Sequence, residues 1–318
     1  MYSMLLVGAG QLGSRYLQGL VNNEARLNIT VVDPSDLALY RALSRWDEVG
    51  GDQSQHQIRW QSALPPDLSK VDLALIVTSS KGRAELVRSI VESVHVRFWV
   101  LEKVLAQSSA ELAVIKSATA TSDGAWVNTP MRTMGWHKRL KEAFSIQPPL
   151  SVSYTSPSLR IACNGIHYID LVAWLSGESL VAVDGSNLDH CWYASKRAGY
   201  FEVSGELVAH FSRGSTLRLR SEVDLEEGPL RVKLSNGVTW EVVEHAGTAR
   251  SSNGEHLNGR IKLQSQMSGR LVDSILRDGT CQLPSLDESA AMHELFLNTM
   301  LEHWNISQNR NDGLVPIT

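Results

Sequence analysis

The chain reads as an α/β protein in two parts. Residues 1–128 are expected to form a doubly wound parallel sheet, and residues 129–318 an α/β domain built on a mostly antiparallel open sheet. Three observations carry this. The apolar run Met4-Leu5-Leu6-Val7 feeds directly into Gly8-Ala9-Gly10-Gln11-Leu12-Gly13 and then into helix-compatible sequence, the strand–glycine turn–helix order. Short apolar runs then alternate with helical periodicities of about a dozen residues as far as Asn128, the pattern of a parallel sheet. From Leu150 to Val243 the chain changes to alternating, β-rich segments interrupted by one helix, as antiparallel strands with one covered face would require.

The elements follow in order. Ile29-Thr30-Val31-Val32 is a second strand ending in Asp33, twenty positions after Gly13. Pro34-Ser35-Asp36 opens a helix carrying Leu39, Ala42, Leu43 and Trp46 at helical spacing, and Gly50-Gly51-Asp52 closes it. Ile58–Trp60 is a short strand, and 72–78 is a continuous apolar run suited to burial on both faces. Thr78–Gly82 turns into a helix through Leu86, Val87, Ile90 and Val91. Phe98–Leu101 is a buried strand ending at Glu102-Lys103, and Ser108 with Glu111 makes a capping box for the next helix. Trp126–Asn128 closes the first part. In the second part the expected strands are Ser151–Thr155, Val181–Ser186, Phe201–Phe211, Ser215–Val223, Leu230–Leu234 and Thr239–Val243. Asn236-Gly237 is a hairpin turn between the last two. The interrupting helix is expected over Ile166–Leu175. Residues 246–258, rich in Gly, Ser and Asn, read as a mobile loop. Ser285 with Glu288 caps a last helix whose Met292, Leu295, Phe296, Thr299, Met300 and Trp304 form one apolar stripe.

Composition narrows the function classes. A chain of 318 residues with 43% hydrophobic and 20% charged residues suits two globular domains with a sizeable core. A net charge of −4 argues against electrostatic nucleic-acid binding. No apolar run approaches the roughly 20 residues of a membrane span, and Met1-Tyr2-Ser3 has no basic side chain of the kind that opens a signal peptide. Cys163, Cys191 and Cys281 show no metal or disulfide spacing, which points to a reduced, cytoplasmic protein without a metal site.

The candidate chemistry starts at the glycine turn. Gly8 permits a tight turn, Gly10 lets backbone N–H groups approach a pyrophosphate, and Gly13 lets helix and strand meet closely. Gln11 and Leu12, at the helix start, add N–H groups and a positive dipole end. Asp33 stands where an acidic residue would bond adenosine ribose hydroxyls. Together these make the first part a Rossmann domain for a dinucleotide. Asp33 would repel a 2′-phosphate, and Pro34-Ser35 offers it no arginine, so NAD is expected, with NADP kept as the other possibility. In an open α/β sheet, ligands sit beyond the carboxyl ends of the strands. There Thr78, Ser79 and Ser80 line the cofactor or simply cap a polar loop. Glu102 and Lys103 end a buried strand and are expected at the cofactor, and Lys103 either stabilises alkoxide charge on a substrate oxygen or is a solvated strand terminus. In the second part, His167 and Asp170 share a helix face. His167 is suited to moving a hydroxyl proton, and Asp170 either orients it or faces the positive helix N-terminus.

Taken together, Gly8-x-Gly10-x-x-Gly13, Asp33, Glu102-Lys103 and Gly165-x-His167-x-x-Asp170 resemble the Gfo/Idh/MocA (glucose–fructose oxidoreductase/inositol dehydrogenase) family over nearly the whole chain. The resemblance implies a Rossmann domain followed by an open-sheet domain used in a homodimer or homotetramer. It implies hydride transfer between NAD or NADP and a carbon of a sugar, sugar acid or nucleotide-sugar derivative bound between the domains. In that scheme Lys103 polarises the oxygen, the His167 region moves the proton, and Arg132, Asn164 and Asp170 border the substrate. Arg132 and Lys138 would meet an anionic group or form a solvated basic helix face. The Asn128/Arg132 and Cys-Asn-Gly-Ile-His elements look like members linked to surface-polysaccharide or acidic-sugar biosynthesis. Three departures stand out. Val104 replaces the motif's proline, Arg83 a common histidine, and Cys163 the aspartate four residues before the histidine. The missing Asp–His pair leaves open a non-catalytic nucleotide sensor on the same fold, and the related architecture leaves open reduction of an imine or linear tetrapyrrole.

Overall fold

The computed structural model describes residues 1–144, 149–222, 224 and 226–318. The chain divides into two compact units. The first comprises 1–105, 111–128 and a return segment 262–287; the second comprises 106–110, 129–261 and 288–318.

The first unit has a six-stranded sheet of β1 (Tyr2–Val7), β2 (Leu27–Val32), β3 (Gln57–Gln61), β4 (Lys70–Ile76), β5 (His95–Glu102) and β6 (Gly124–Asn128), ordered β3-β2-β1-β4-β5-β6. All five pairings are parallel. The strand order reverses between β1 and β4, the crevice where such sheets hold ligands. Met4, Leu5, Leu6, Leu73, Ala74, Leu75 and Leu101 are fully buried, which is why these strands read as unbroken apolar runs rather than as alternation. The helices are α1 (Gln11–Leu20), α2 (Asp36–Asp47), α3 (Arg83–Val91) and α4 (Ser109–Thr119). Ser35 caps α2, its hydroxyl accepting the Ala38 N–H.

One helix of this unit was not expected. Between the second part's strands and its last helix, α7 (Gln264–Asp278, numbered after α5 and α6 below) returns to the first unit and lies against α1. Glycine on both sides lets the backbones close. A Cβ on Gly19 would come within 2.6 Å of the Ser265 carbonyl oxygen, and one on Gly269 within 2.8 Å of that of Gly19. Asn23 Nδ2 donates to Asp273 Oδ1 across the same contact.

The second unit has an eight-stranded sheet. Its strands are β7 (Ser151–Thr155), β8 (Leu180–Ala194), β9 (Phe201–Phe211), β10 (Thr216–Ser221), β11 (Leu230–Lys233), β12 (Thr239–Val243), β13 (Thr248–Ser251) and β14 (His256–Asn258). The order is β14-β13-β12-β11-β7-β10-β9-β8, antiparallel throughout except for the β7–β10 pair. Helices α5 (Gly135–Phe144), α6 (Ile161–Ser176) and α8 (Leu286–Gln308), the last from Glu288 onward, belong to it. Gly237 turns the β11–β12 hairpin at φ +88°, as Asn236-Gly237 predicts. Met292, Phe296, Met300 and Trp304 of α8 are buried, as their stripe requires.

Four expectations change. The strand expected at Val181–Ser186 runs over Leu180–Ala194. Residues 246–258 are not a loop but the β13–β14 hairpin, turned at Gly254; only Ala249 of β13 is buried, so no apolar pattern marked it. The interrupting helix begins at Ile161, five residues before the expected Ile166. Its start is set from the sheet: the Glu202 carboxylate of β9 accepts the N–H groups of Ala162 (3.0 Å) and Cys163 (3.4 Å). The strand expected at Ser215–Val223 is seen as Thr216–Ser221, and Val223 lies outside the described residues.

Candidate functional site

The glycine turn is shaped by contact on two sides and by open space on the third. Gly8 has φ +100°, and a Cβ there would sit 2.8 Å from the Val77 carbonyl oxygen, so β1 and β4 can lie side by side only without one. A Cβ on Gly13 would overlap the Gly8 carbonyl oxygen. Gly10 differs, since a Cβ there meets no atom within 4 Å. Protein packing gives Gly10 no reason to lack a side chain, whereas a ligand approaching the N–H groups at the start of α1 would. Asp33 is fixed beside the turn: its Oδ2 accepts the Ala9 N–H (2.8 Å) and its Oδ1 the Ser35 N–H (2.9 Å). A carboxylate held by two backbone donors at the end of β2 keeps lone pairs for ribose hydroxyls. Gly8, Gly10, Gln11, Leu12, Gly13 and Asp33 therefore come together as a cradle that fits a dinucleotide. Arg45, which sequence reading did not place, donates to Gln11 Oε1 (2.8 Å) and Ser14 Oγ (2.6 Å) at the first turn of α1.

The second strand end is organised by buried charge. Lys103 is half-exposed while Glu102, Val104 and Leu105 around it are buried, so one side chain of the turn faces outward. The Lys103–Val104 peptide is cis. Glu102 turns inward. Its Oε1 accepts the Tyr16 hydroxyl (2.8 Å) and Asn128 Nδ2 (2.6 Å), and Asn128 also donates to Gln264 Oε1 (3.1 Å). Burial raises the Glu102 carboxyl above its usual range, against the opposing pull of Tyr16, Asn128, Arg83 and Lys103; burial and the Glu102 charge together raise the Tyr16 phenol. The carboxylate of Glu102 thus ties α1, β5, β6 and, through Asn128, α7. Thr78 and Ser79 are half-exposed at the end of β4, while Ser80 is buried and its carbonyl accepts the Arg83 N–H (3.1 Å).

In the second unit, His167 is half-exposed on α6 and Tyr168 beside it lies against Tyr154 of β7, ring centroids 5.1 Å apart. Because α6 starts at Ile161, Asp170 is its tenth residue and lies far from the helix N-terminus, where the dipole acts only within the first turn. Asp170 is instead completely buried and paired with Arg132: Nε to Oδ2 at 3.1 Å and Nη2 to Oδ1 at 2.5 Å. Glu288 Oε1 takes the guanidinium's other edge at 2.9 Å. Burial pushes the Asp170 carboxyl up while the Arg132 charge pulls it down. Arg132 and Asp170, read as two separate substrate contacts, thus hold one another, and the arginine expected to meet an anion already has two carboxylates. Asn164 donates to the Leu159 carbonyl (2.8 Å). Gly165 is explained by packing, since a Cβ there would lie 3.1 Å from the Phe296 ring of α8. Lys103 belongs to the first unit and His167 to the second.

Comparison with solved structures gives the same two-sheet architecture. A myo-inositol dehydrogenase from Lactobacillus casei, in complex with NAD(H) and myo-inositol, matches 100% of this chain and 98% of its own at TM-score 0.64 and 14% identity. The fold is shared with this dehydrogenase over the whole chain. An oxidoreductase from Agrobacterium radiobacter, in complex with NAD+, L-tartaric acid and magnesium, matches at TM-score 0.70 and 15% identity over 95% of this chain and 96% of its own. A UDP-N-acetylglucosamine 3-dehydrogenase from Acidithiobacillus ferrooxidans matches at TM-score 0.67 and 14% identity over 96% and 97%. No protein-family model and no curated protein sequence matches the chain. Among the described residues, no group of three or more His, Cys, Asp or Glu side chains is placed to hold a metal ion, and no helix is long and apolar enough to cross a membrane.

Proposed function

We propose that the protein is an NAD-dependent oxidoreductase acting at a carbon of a sugar, sugar acid or nucleotide-sugar derivative. The observation that carries this is the cradle of open Gly10 beside the anchored Asp33 carboxylate, on a fold whose solved examples include NAD complexes. Gly8–Gly13 and Asp33 hold the dinucleotide, and Thr78, Ser79 and Lys103 stand at the neighbouring strand ends. Bound NAD supplies the hydride acceptor or donor. Lys103 brings an ammonium to the reacting oxygen and stabilises its negative charge, and His167 takes or returns the hydroxyl proton. Asp33 disfavours a 2′-phosphate, so NAD is preferred to NADP. A reduced, cytoplasmic setting fits three free cysteines.

Thermal melting separates the cofactors, because a ligand that binds only the folded state raises the midpoint. NADH should raise it more than NADPH, and the reverse order would overturn the assignment. Turnover is then sought with NAD+ on myo-inositol, L-tartrate, UDP-N-acetylglucosamine and further sugars and sugar acids. Cys163, in place of a carboxylate one turn before His167, favours a second reading, a non-catalytic NAD-binding sensor. NADH binding with no turnover across the panel would support it. Exposed Arg218, Arg220, Arg231 and Lys233 on alternate positions of β10 and β11 leave one sheet face for assembly. A homodimer or homotetramer through that face belongs to this proposal and is tested by light scattering.

A further inference from the structure

Arg83 opens α3, and its side chain is completely buried. A buried guanidinium is costly unless its donors are met, and here the acceptors are backbone carbonyls. Nη1 faces the oxygens of Glu102, Val104 and Leu105 (the last at 3.0 Å), and Nη2 that of Thr78. Three of the four belong to the turn that carries Lys103, one immediately before it and two after it. The fourth belongs to the end of β4. Sheet pairing between β5 and β6 reaches only Glu102–Asn128, so Val104 and Leu105, buried beyond it, have carbonyls that the ladder does not serve. Buried backbone acceptors need donors from elsewhere. Only arginine among the side chains presents a rigid fork of five N–H groups able to serve two loops at once.

We infer that Arg83 is a positioning residue for Lys103: its guanidinium clasps the β4 and β5 strand ends and fixes the backbone on both sides of the lysine. The lysine is the one residue of the turn left half-exposed, so its reach into solvent starts from a Cα that cannot drift. This rests on the proposed role of Lys103, and it assigns a task to a residue that sequence reading registered only as a departure.

The test uses the full-length chain with Arg83→Lys and Arg83→Met. Lysine keeps the charge and three donors but loses the fork. Amide hydrogen exchange of the 102–105 segment should rise about tenfold in Arg83→Lys while that of β1 and β2 stays at the wild-type rate. NADH affinity, by fluorescence titration, should stay within about threefold. On a panel substrate, kcat should fall by about 10²-fold, the scale expected for a misplaced catalytic group, with KM changed by less than about threefold. Arg83→Met should exceed Arg83→Lys in each respect; if it does not fold, Arg83→Lys carries the test. Unchanged exchange at 102–105, or a rise spread evenly over the first unit, would overturn the clasp. If the wild type turns over nothing in the panel, the proposed function fails while the exchange measurement still decides whether Arg83 holds this turn.

Discussion

At the end of β1 the chain turns on glycines, and at the end of β5 it turns around a buried arginine and a buried glutamate. The first turn needs space: Gly8 and Gly13 remove side chains where backbones meet, and Gly10 removes one where nothing in the protein stands. Its acidic partner, Asp33, is held by two backbone N–H groups close by. The second turn needs partners. Arg83 reaches it from α3, Tyr16 from α1 and Asn128 from β6. Binding a dinucleotide requires exposed N–H groups and little else, whereas holding a single lysine in place requires its backbone to be held by groups from several elements. The comparison teaches that a glycine turn can be written locally, while the frame around a single lysine is assembled at long range.

The comparison can be broken in four places. The largest effect is expected for Lys103→Met, which should lower kcat by about 10²–10³-fold, the loss seen when one donor to a developing oxyanion is removed. NADH binding should be close to unchanged by titration; a variant with wild-type turnover would remove Lys103 from the chemistry. Gly13→Ala comes next. Its Cβ would overlap the Gly8 carbonyl, and backbone cannot yield as a side chain tip does, so chemical denaturation should show a loss of about 1–3 kcal/mol. Gly10→Ala sharpens the contrast, because its stability should stay within about 0.5 kcal/mol of wild type while NADH affinity falls about tenfold, or 1.4 kcal/mol. Equal losses of stability at Gly10 and Gly13 would show that the turn is shaped by packing alone.

The smallest effect concerns Glu102→Gln, which keeps an acceptor for Tyr16 and Asn128. The folded-state pKa of Glu102 is raised by burial, so the native state holds this proton more tightly than the unfolded chain does. Stability from this group is then lost as pH rises from the unfolded value of 4.5 through the raised folded one. The glutamine variant should therefore gain on wild type as pH rises across that window, by an amount that denaturation at pH 4 and pH 8 resolves. A difference independent of pH would mean that the carboxyl is not perturbed.

Much of the fold was legible because burial on both faces writes unbroken apolar runs, as in 72–78, and because capping and turn chemistry is local, as at Ser35 and Asn236-Gly237. The β13–β14 hairpin was hidden because only Ala249 of β13 is buried, and α7 because its apolar stripe follows a polar, loop-like stretch. The start of α6 was misplaced because Glu202, some forty residues away, caps it. Of the candidate site, the close packing at Gly8 and Gly13 and the place of Asp33 beside the turn were legible. Lys103 and His167 were legible as residue types at strand and helix positions, without their surroundings.

By itself the sequence determined most strands and helices of the first unit, the glycine turn and the acid beside it, because each depends on residues near one another in the chain. Only the tertiary structure decided that Arg132 and Asp170 hold each other, that Glu102 faces inward to Tyr16 and Asn128, and that Arg83 grips the turn bearing Lys103. The physical reason is burial. A charged side chain removed from water takes whatever partners the fold brings to it, and those partners lie on elements that the sequence places far apart.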